Sequence, residues 1–449
     1  MQNIPEQIFK AYDFRGVYPT EIDADVMERI GRAFAVFAKS DKILVGYDMR
    51  LSVPETSTAF KKGITAMGVD VIDLGQVSTD TIYFASGHYK LPGAMITASH
   101  NPKEYTGVKF CRPGAEPIGK ETGLEEIKTM VLTPSNPPLA GVEGVVTKKE
   151  DILEEFAEHC YKFIDKDKIK PLKIVIDAGN GMAGKIVPVV FKDLPCEIVP
   201  LYFELDGSFP NHQPSPIELE NNLDLIAKVK KTGADFGIAF DGDADRAFFI
   251  DEKGEMIDSS LIVAMVAGKM LEKNPGSTII YNVVVSKSVP ELVERLGGKP
   301  LMSKVGHSYI KQDMKETNAV FAGEHSGHYY FRDNYRADSG IITALVVLQM
   351  LSESAKKMSE LLQEFKIYHK IEETNFRVED KEVIINKLKE KFPNNIIQEF
   401  DGVSFDLGDW WFNVRPSNTE PLLRLNLEAK TEELMGEKFE EMRGLIEDN

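Results

Sequence analysis

Positive charge is scarce in this sequence. Against 71 aspartates and glutamates stand only 53 lysines and arginines, a formal balance of −18 over 449 residues. That deficit argues against partners held by electrostatic attraction to a polyanion, so neither nucleic acid nor a membrane surface is expected. Cysteine is nearly absent. Cys111, Cys160 and Cys196 make neither a CxxC pair nor an even set, which argues against a disulfide framework and for reduced thiols in the cytoplasm. Long apolar runs are missing too. The longest, IITALVVLQML at residues 341–351, falls well short of the ~20 residues that span a bilayer and reads as a buried helix. The opening MQNIPEQIFK has an early proline and glutamate and no apolar core, so it does not read as a signal peptide.

What is present is the composition of a folded protein, 43% hydrophobic and 28% charged, on a chain long enough for three or four domains. Short β-branched runs alternate with longer helical patterns over the first four-fifths, which predicts α/β domains with mainly parallel sheets. KILVGYD (42–48), an amphipathic segment over 54–67 and VDVIDLG form one βαβ unit. KIVIDAGNGMAG (173–184) and STIIYNVVVSKS (277–288) repeat the theme of strand, polar turn and helix. The Pro- and Gly-rich LTPSNPPLAGVEG (132–144), DEKGE (251–255) and KIYHKIEE (366–373) mark breaks. The expected segments are 1–140, 141–252, 253–367 and 368–449, the last an α+β tail of short strands and two helices.

Four stretches carry chemistry. In GAMITASHNPKEYTGVKF (93–110) an apolar strand is stopped at Asn101-Pro102, with Ser99 and His100 at its exit and Lys109 just beyond. A hydroxyl held at a strand exit suits catalysis, and the same residues also suit an ordinary turn. In AFDGDADRAFFID, Asp241, Asp243 and Asp245 alternate. On an extended chain they converge on one side, and their repulsion calls for a hard cation such as Mg²⁺ with room for water and a substrate phosphate. A calcium EF-hand is excluded because Arg246 takes the loop position that requires glycine and a strand pattern follows.

FAGEHSGHYYF (321–331) sets Glu324, His325, Ser326 and His328 between a strand and an aromatic run. It reads as a turn or as a set of hydrogen-bonding groups for sugar hydroxyls. A zinc site on His325 and His328 lacks further ligands. WWFNVRPSNTEPLLRL (410–425) reads as two strands around a loop. The loop is either a plain turn or a phosphate grip made of Arg415, Ser417, Asn418 and Thr419, with Arg424 close by.

TASHNP, DGDADR, GEHSGH and RPSNTEP, in that order and at domain-scale spacing, resemble the α-D-phosphohexomutase superfamily over essentially the whole chain, from FKAYDFRG (9–16) to the last helix. The opening motif resembles the phosphomannomutase/phosphoglucomutase branch; phosphoglucosamine mutase, which usually begins with a GTDGIRG-like motif, is the alternative. The resemblance implies three related α/β domains with mainly parallel mixed sheets and a smaller α+β domain around a central cleft. It implies that Ser99 carries a phosphoryl group and, with Asp241, Asp243 and Asp245, binds Mg²⁺, and that His100, Lys109, Arg246 and His307 serve catalysis, Lys109 and His307 as acid and base.

Tyr12, Arg15, Lys304, His307, Glu324, Ser326 and His328 would contact substrate, and Arg415, Ser417, Asn418 and Thr419 the phosphate not being transferred. The substrate would be a phosphorylated hexose, with hexose 1,6-bisphosphate as intermediate and activator, and the protein a monomer or weak homo-oligomer. His325 stands where this branch usually has Met, which leaves the choice of sugar open. A serine hydrolase is disfavoured, since Ser99 and His100 are adjacent and poorly disposed to hydrogen-bond each other and no GxSxG surrounds them. A sugar-phosphate binding protein without catalysis would need neither Ser99 nor the three aspartates.

Overall fold

The computed structural model describes residues 4–133, 140–371, 373–417 and 421–447. The chain forms two compact units, Met1–Ile257 with Ser326–Ser359, and Asp258–His325 with Glu360–Asn449.

In the first unit the βαβ expectation is met: strands Lys42–Tyr47 and Asp70–Gln76 run parallel and helix Val53–Thr65 joins them. The helix ends two residues before the expected 67, because the chain turns through Gly68 at φ +78°. A preceding helix, Ala24–Ala38, is capped by the Asp23 carboxylate accepting from Val26 N at 2.9 Å. The two helices touch backbone to backbone. A Cβ on Gly63 would lie 2.1 Å from Glu28 O, and one on Gly31 2.2 Å from Phe60 O, so only glycine permits this crossing.

Strand Gly93–Ile96, buried throughout, lies parallel to Lys42–Tyr47 on one side and antiparallel to Tyr105–Arg112 on the other, with Met95 opposite Lys109. Its exit is therefore the loop that contains Ser99, and Lys109 returns beside it.

A second sheet places Lys173–Asp177 between the parallel strands Glu197–Leu201 and Phe236–Phe240. Strand Ala247–Asp251 then pairs antiparallel to Phe236–Phe240, with Phe240 opposite Ala247, so residues 241–246 are a hairpin turn. IITALVVLQML lies in helix Gly340–Glu353, capped by Ser339 and buried over nearly its whole length, as its all-round apolarity predicts.

In the second unit, Thr278–Asn282 runs parallel to Lys299–Ser303 and Phe321–Gly323. The tail differs. Strands Val403–Asp406, Trp410–Pro416 and Leu422–Ala429 are all antiparallel, with helices Lys381–Lys391 and Glu432–Glu447. Phe412 stacks on Phe405 at 4.6 Å between centroids, and a buried aromatic of this kind contributes about 1.5–3 kcal/mol. Among the described residues no helix is long and apolar enough to cross a membrane. Cys111, Cys160 and Cys196 form no disulfide.

Candidate active site

Ser99 is 1% exposed and has φ +49°, the left-handed region that a serine adopts at a cost of about 1–3 kcal/mol. Its N–H donates to Thr97 Oγ1 at 2.9 Å, and its Oγ donates to Asp241 Oδ2 at 2.8 Å. Ser99 and His100 are closer than their adjacency suggested: Oγ lies 3.4 Å from His100 Nδ1. That nitrogen is already occupied, since Arg246 Nη2 donates to it at 3.0 Å. The Arg246 charge, together with burial, pushes the imidazole down to about 2. His100 is thus a neutral acceptor with no free lone pair for the serine proton.

The three aspartates converge, but not as an extended chain. Residues 241–246 turn through Ala244 at φ +60°, and the turn gathers one oxygen of each carboxylate within 4.8 Å of the others. The loops meet closely, for a Cβ on Gly242 would lie 2.5 Å from Ser99 O.

All three carboxylates are buried. Their repulsion is already eased by this chain, because Lys109 Nζ lies 2.8 Å from both Asp243 Oδ2 and Asp245 Oδ2. Thr79 Oγ1 donates to Asp243 Oδ2 at 2.5 Å. Burial works against charge on Asp243, yet the Lys109 ammonium outweighs it and holds that carboxyl well below the usual range. Burial opposes the Lys109 charge too, and Asp243 and Asp245 more than offset it, so Lys109 is held protonated. Asp241 goes the other way, raised by burial and by its two acidic neighbours. Asp243 Oδ1 and Asp245 Oδ1 are buried and accept no hydrogen bond from the described residues. Two orphaned hard oxygens beside a third carboxylate fit Mg²⁺, which binds few protein ligands and retains water.

Other expected residues fall in the same unit. Arg15 donates to Asn101 Oδ1 at 2.6 Å and pairs with Asp13, while Tyr12 is partly buried beside it in sequence. Gly327 O accepts from Ala247 N at 3.2 Å, which fixes Ser326 and His328 next to the aspartate hairpin. His328 Nδ1 is 3.0 Å from Ser326 Oγ, and its Nε2 is 3.8 Å from Asp245 Oδ1 and 3.9 Å from Asp338 Oδ2, the spacing of loose ion pairs.

The second unit holds the rest. Buried Glu324 accepts from Asn282 Nδ2 at 3.0 Å and from Gly306 N at 3.2 Å. His307 starts helix His307–Thr317 directly after Gly306, and exposed Lys304 lies over the Tyr309 ring. Burial, reinforced by Lys370, pushes His325 down to about 4.

Arg415 and Arg424 face each other across two strands. Glu373 lies 3.5 Å from the first and 3.6 Å from the second, which offsets their repulsion. Ser417 is buried, and its carbonyl accepts from Lys381 Nζ at 2.7 Å. Asn418 and Thr419 lie outside the described residues.

The sequence reading passed over Arg50, Thr79, Asp338 and Glu373. Only Arg50 had a visible signal, as an arginine two residues after the aspartate that closes a buried strand in GYDMR. The others are brought in by contacts distant in sequence.

Successive α/β sheets, an antiparallel tail and a serine on a buried carboxylate hairpin define a class, the phosphohexomutases. Four sequence models of one family match the chain in order: phosphoglucomutase/phosphomannomutase α/β/α domain I at residues 6–137, domain II at 153–254, domain III at 258–368 and the C-terminal domain at 373–445. The chain belongs to the phosphoglucomutase/phosphomannomutase family. It is 39% identical over 431 residues to a phosphomannomutase of Escherichia coli K12, covering 94% of each chain. A Xanthomonas campestris protein described as "Phosphohexose mutases" is 40% identical over 427 residues, covering 94% of this chain and 95% of that one. A crystal structure of a phosphoglucomutase/phosphomannomutase family protein from Burkholderia thailandensis superposes with a TM-score of 0.88 at 34% identity, covering 99% of this chain and 97% of that one. The chain is an enzyme, a phosphohexomutase.

Proposed function

We propose that the enzyme interconverts the 1- and 6-phosphates of mannose, glucose or both, with Ser99 as the phosphoryl carrier. The observation that supports this best is the Ser99 hydroxyl, buried and 2.8 Å from Asp241 in a hairpin whose other two carboxylates hold Lys109. Phosphoserine 99 gives its phosphoryl group to the free hydroxyl of a hexose monophosphate; the P–O bond to the serine breaks as that to the sugar forms, and the hydroxyl proton leaves to a base. The product is a hexose 1,6-bisphosphate, which turns end for end and returns its other phosphate to Ser99. Added bisphosphate acts as activator by rephosphorylating the serine.

Mg²⁺ held by Ser99, Asp241, Asp243 and Asp245 would supply charge neutralisation for the transferring group. Lys109 and Arg246 add positive charge to the same place, and His100 orients Arg246 through its neutral Nδ1. Lys109 and His307 are the acid and base of this assignment; the two carboxylates that hold the Lys109 proton must let go of it before it can be donated. Glu324 and Ser326 take sugar hydroxyls, with Tyr12, Arg15, Lys304 and His328 as further contacts. Arg415, Ser417, Asn418 and Thr419 take the distal phosphate.

In this assignment segment 1–140 supplies the carrier, 141–252 the metal loop, 253–367 sugar recognition and 368–449 phosphate binding. The enzyme acts as a cytoplasmic monomer or weak homo-oligomer. A coupled assay of mannose 1-phosphate, glucose 1-phosphate and glucosamine 6-phosphate, with Mg²⁺ and glucose 1,6-bisphosphate, tests the reading. Turnover of the glucosamine ester alone would replace it with phosphoglucosamine mutase, and turnover of none would overturn it.

A further inference from the structure

Arg50 has no exposed side-chain surface. Its guanidinium donates to four carbonyls of one loop: Nη2 to Ser99 O and Asn101 O, both at 2.7 Å, and Nη1 to Pro102 O at 2.8 Å and Tyr105 O at 3.1 Å. Asp48 aims it, with Oδ2 3.3 Å from Nε, while Asp48 Oδ1 accepts from the Arg50 N–H at 2.9 Å. The Phe209 ring covers its far side at 5.2 Å from Cζ. A buried arginine so fully engaged with one loop is costly to place unless that loop must not move.

The peptide plane gives the clamp its consequence. In a trans peptide N–H and C=O point in opposite directions. Drawing Ser99 O to the guanidinium therefore turns the His100 N–H to the other face of the loop, and drawing in Pro102 O does the same for Lys103. We propose that Arg50 is a positioning residue for phosphoryl transfer. It holds Ser99 at φ +49° with Oγ on Asp241, and it turns the adjacent His100 amide outward as a donor to the phosphate carried there. This rests on Ser99 being the carrier.

The test uses full-length Arg50→Lys and Asp48→Asn, with Arg50→Ala for rescue. Phosphorylation of Ser99 by glucose 1,6-bisphosphate is followed by intact mass and peptide mapping, beside kcat, KM and thermal unfolding. Misplacement by about 1 Å costs on the order of a hundredfold in rate, so Arg50→Lys is expected to slow phosphorylation and kcat together by about that factor, with KM within about threefold. Asp48→Asn, which leaves the four loop contacts in place, should lose less.

Free guanidinium should restore part of the Arg50→Ala rate, whereas a merely destabilised variant would be harmed by it. Folded Arg50→Lys and Asp48→Asn that phosphorylate Ser99 at the wild-type rate would overturn the proposal, as would rate loss matched by loss of folded protein with no rescue. Wild-type enzyme that turns over without phosphorylating Ser99 would instead overturn the carrier assignment.

Discussion

At the scale of single residues, two side chains make sharp claims. Ser99→Ala removes the hydroxyl proposed to carry the phosphoryl group without touching Arg50's grip on the loop carbonyls. Turnover should fall at least a thousandfold while thermal stability holds, read by the coupled assay and by calorimetry. Asp80 is buried with both oxygens engaged, accepting from Ser78 and, at 2.6 Å, from Ser339 Oγ. Burial outweighs those hydrogen bonds and pushes it up to about 7. A carboxyl raised on folding stabilises the protein below its unfolded pKa and loses that contribution as pH rises through the folded value. In chelator, unfolding free energy should therefore drop between about pH 4 and 7 by up to ~1.4 kcal/mol per pH unit from this group. Asp80→Asn should flatten that slope in denaturant titrations at stepped pH.

At the scale of elements, the aspartate hairpin makes the next prediction. Its orphaned oxygens form a compact hard site, so chelation should abolish turnover and Mg²⁺ should restore it better than the larger, looser Ca²⁺. This hairpin also shows what a sequence reveals. Strands and helices were legible wherever one period persisted: KILVGY as a buried strand, IITALVVLQML as a buried helix, WWFNVRP and LLRLNLEA as paired strands. The convergence of three aspartates was legible too, but its cause was not. Alternation implied an extended chain, whereas a hairpin with a left-handed Ala244 brings the carboxylates together. Thr79 and Glu373 were silent because their partners lie far along the chain, and local periodicity carries no information about them; Arg50 showed only as an arginine two residues past the aspartate that closes a buried strand.

At the scale of the whole molecule, the labour is divided. Ser99 belongs to the first compact unit and Arg415 to the second. Damage to one should leave the local chemistry of the other standing. A charge-assisted contact contributes about 1.5–3 kcal/mol, so Arg415→Ala should weaken substrate binding about ten- to a hundredfold. It should also raise the requirement for added glucose 1,6-bisphosphate, because the intermediate escapes more often; steady-state kinetics against activator concentration checks both.

The ammonium of Lys109 between Asp243 and Asp245 has a consequence for the life of the polypeptide. It is a resident counter-ion, synthesised with the chain, so the carboxylate cup can close during folding before any ion is captured. Binding of the proposed Mg²⁺ then becomes a late maturation step instead of a condition of folding, and wild-type refolding rates should be indifferent to the ion. Lys109→Met should make them depend on it, in stopped-flow refolding with and without the ion. A nascent chain starved of the proposed ion would still reach its shape and wait, idle and intact, for the ion to return.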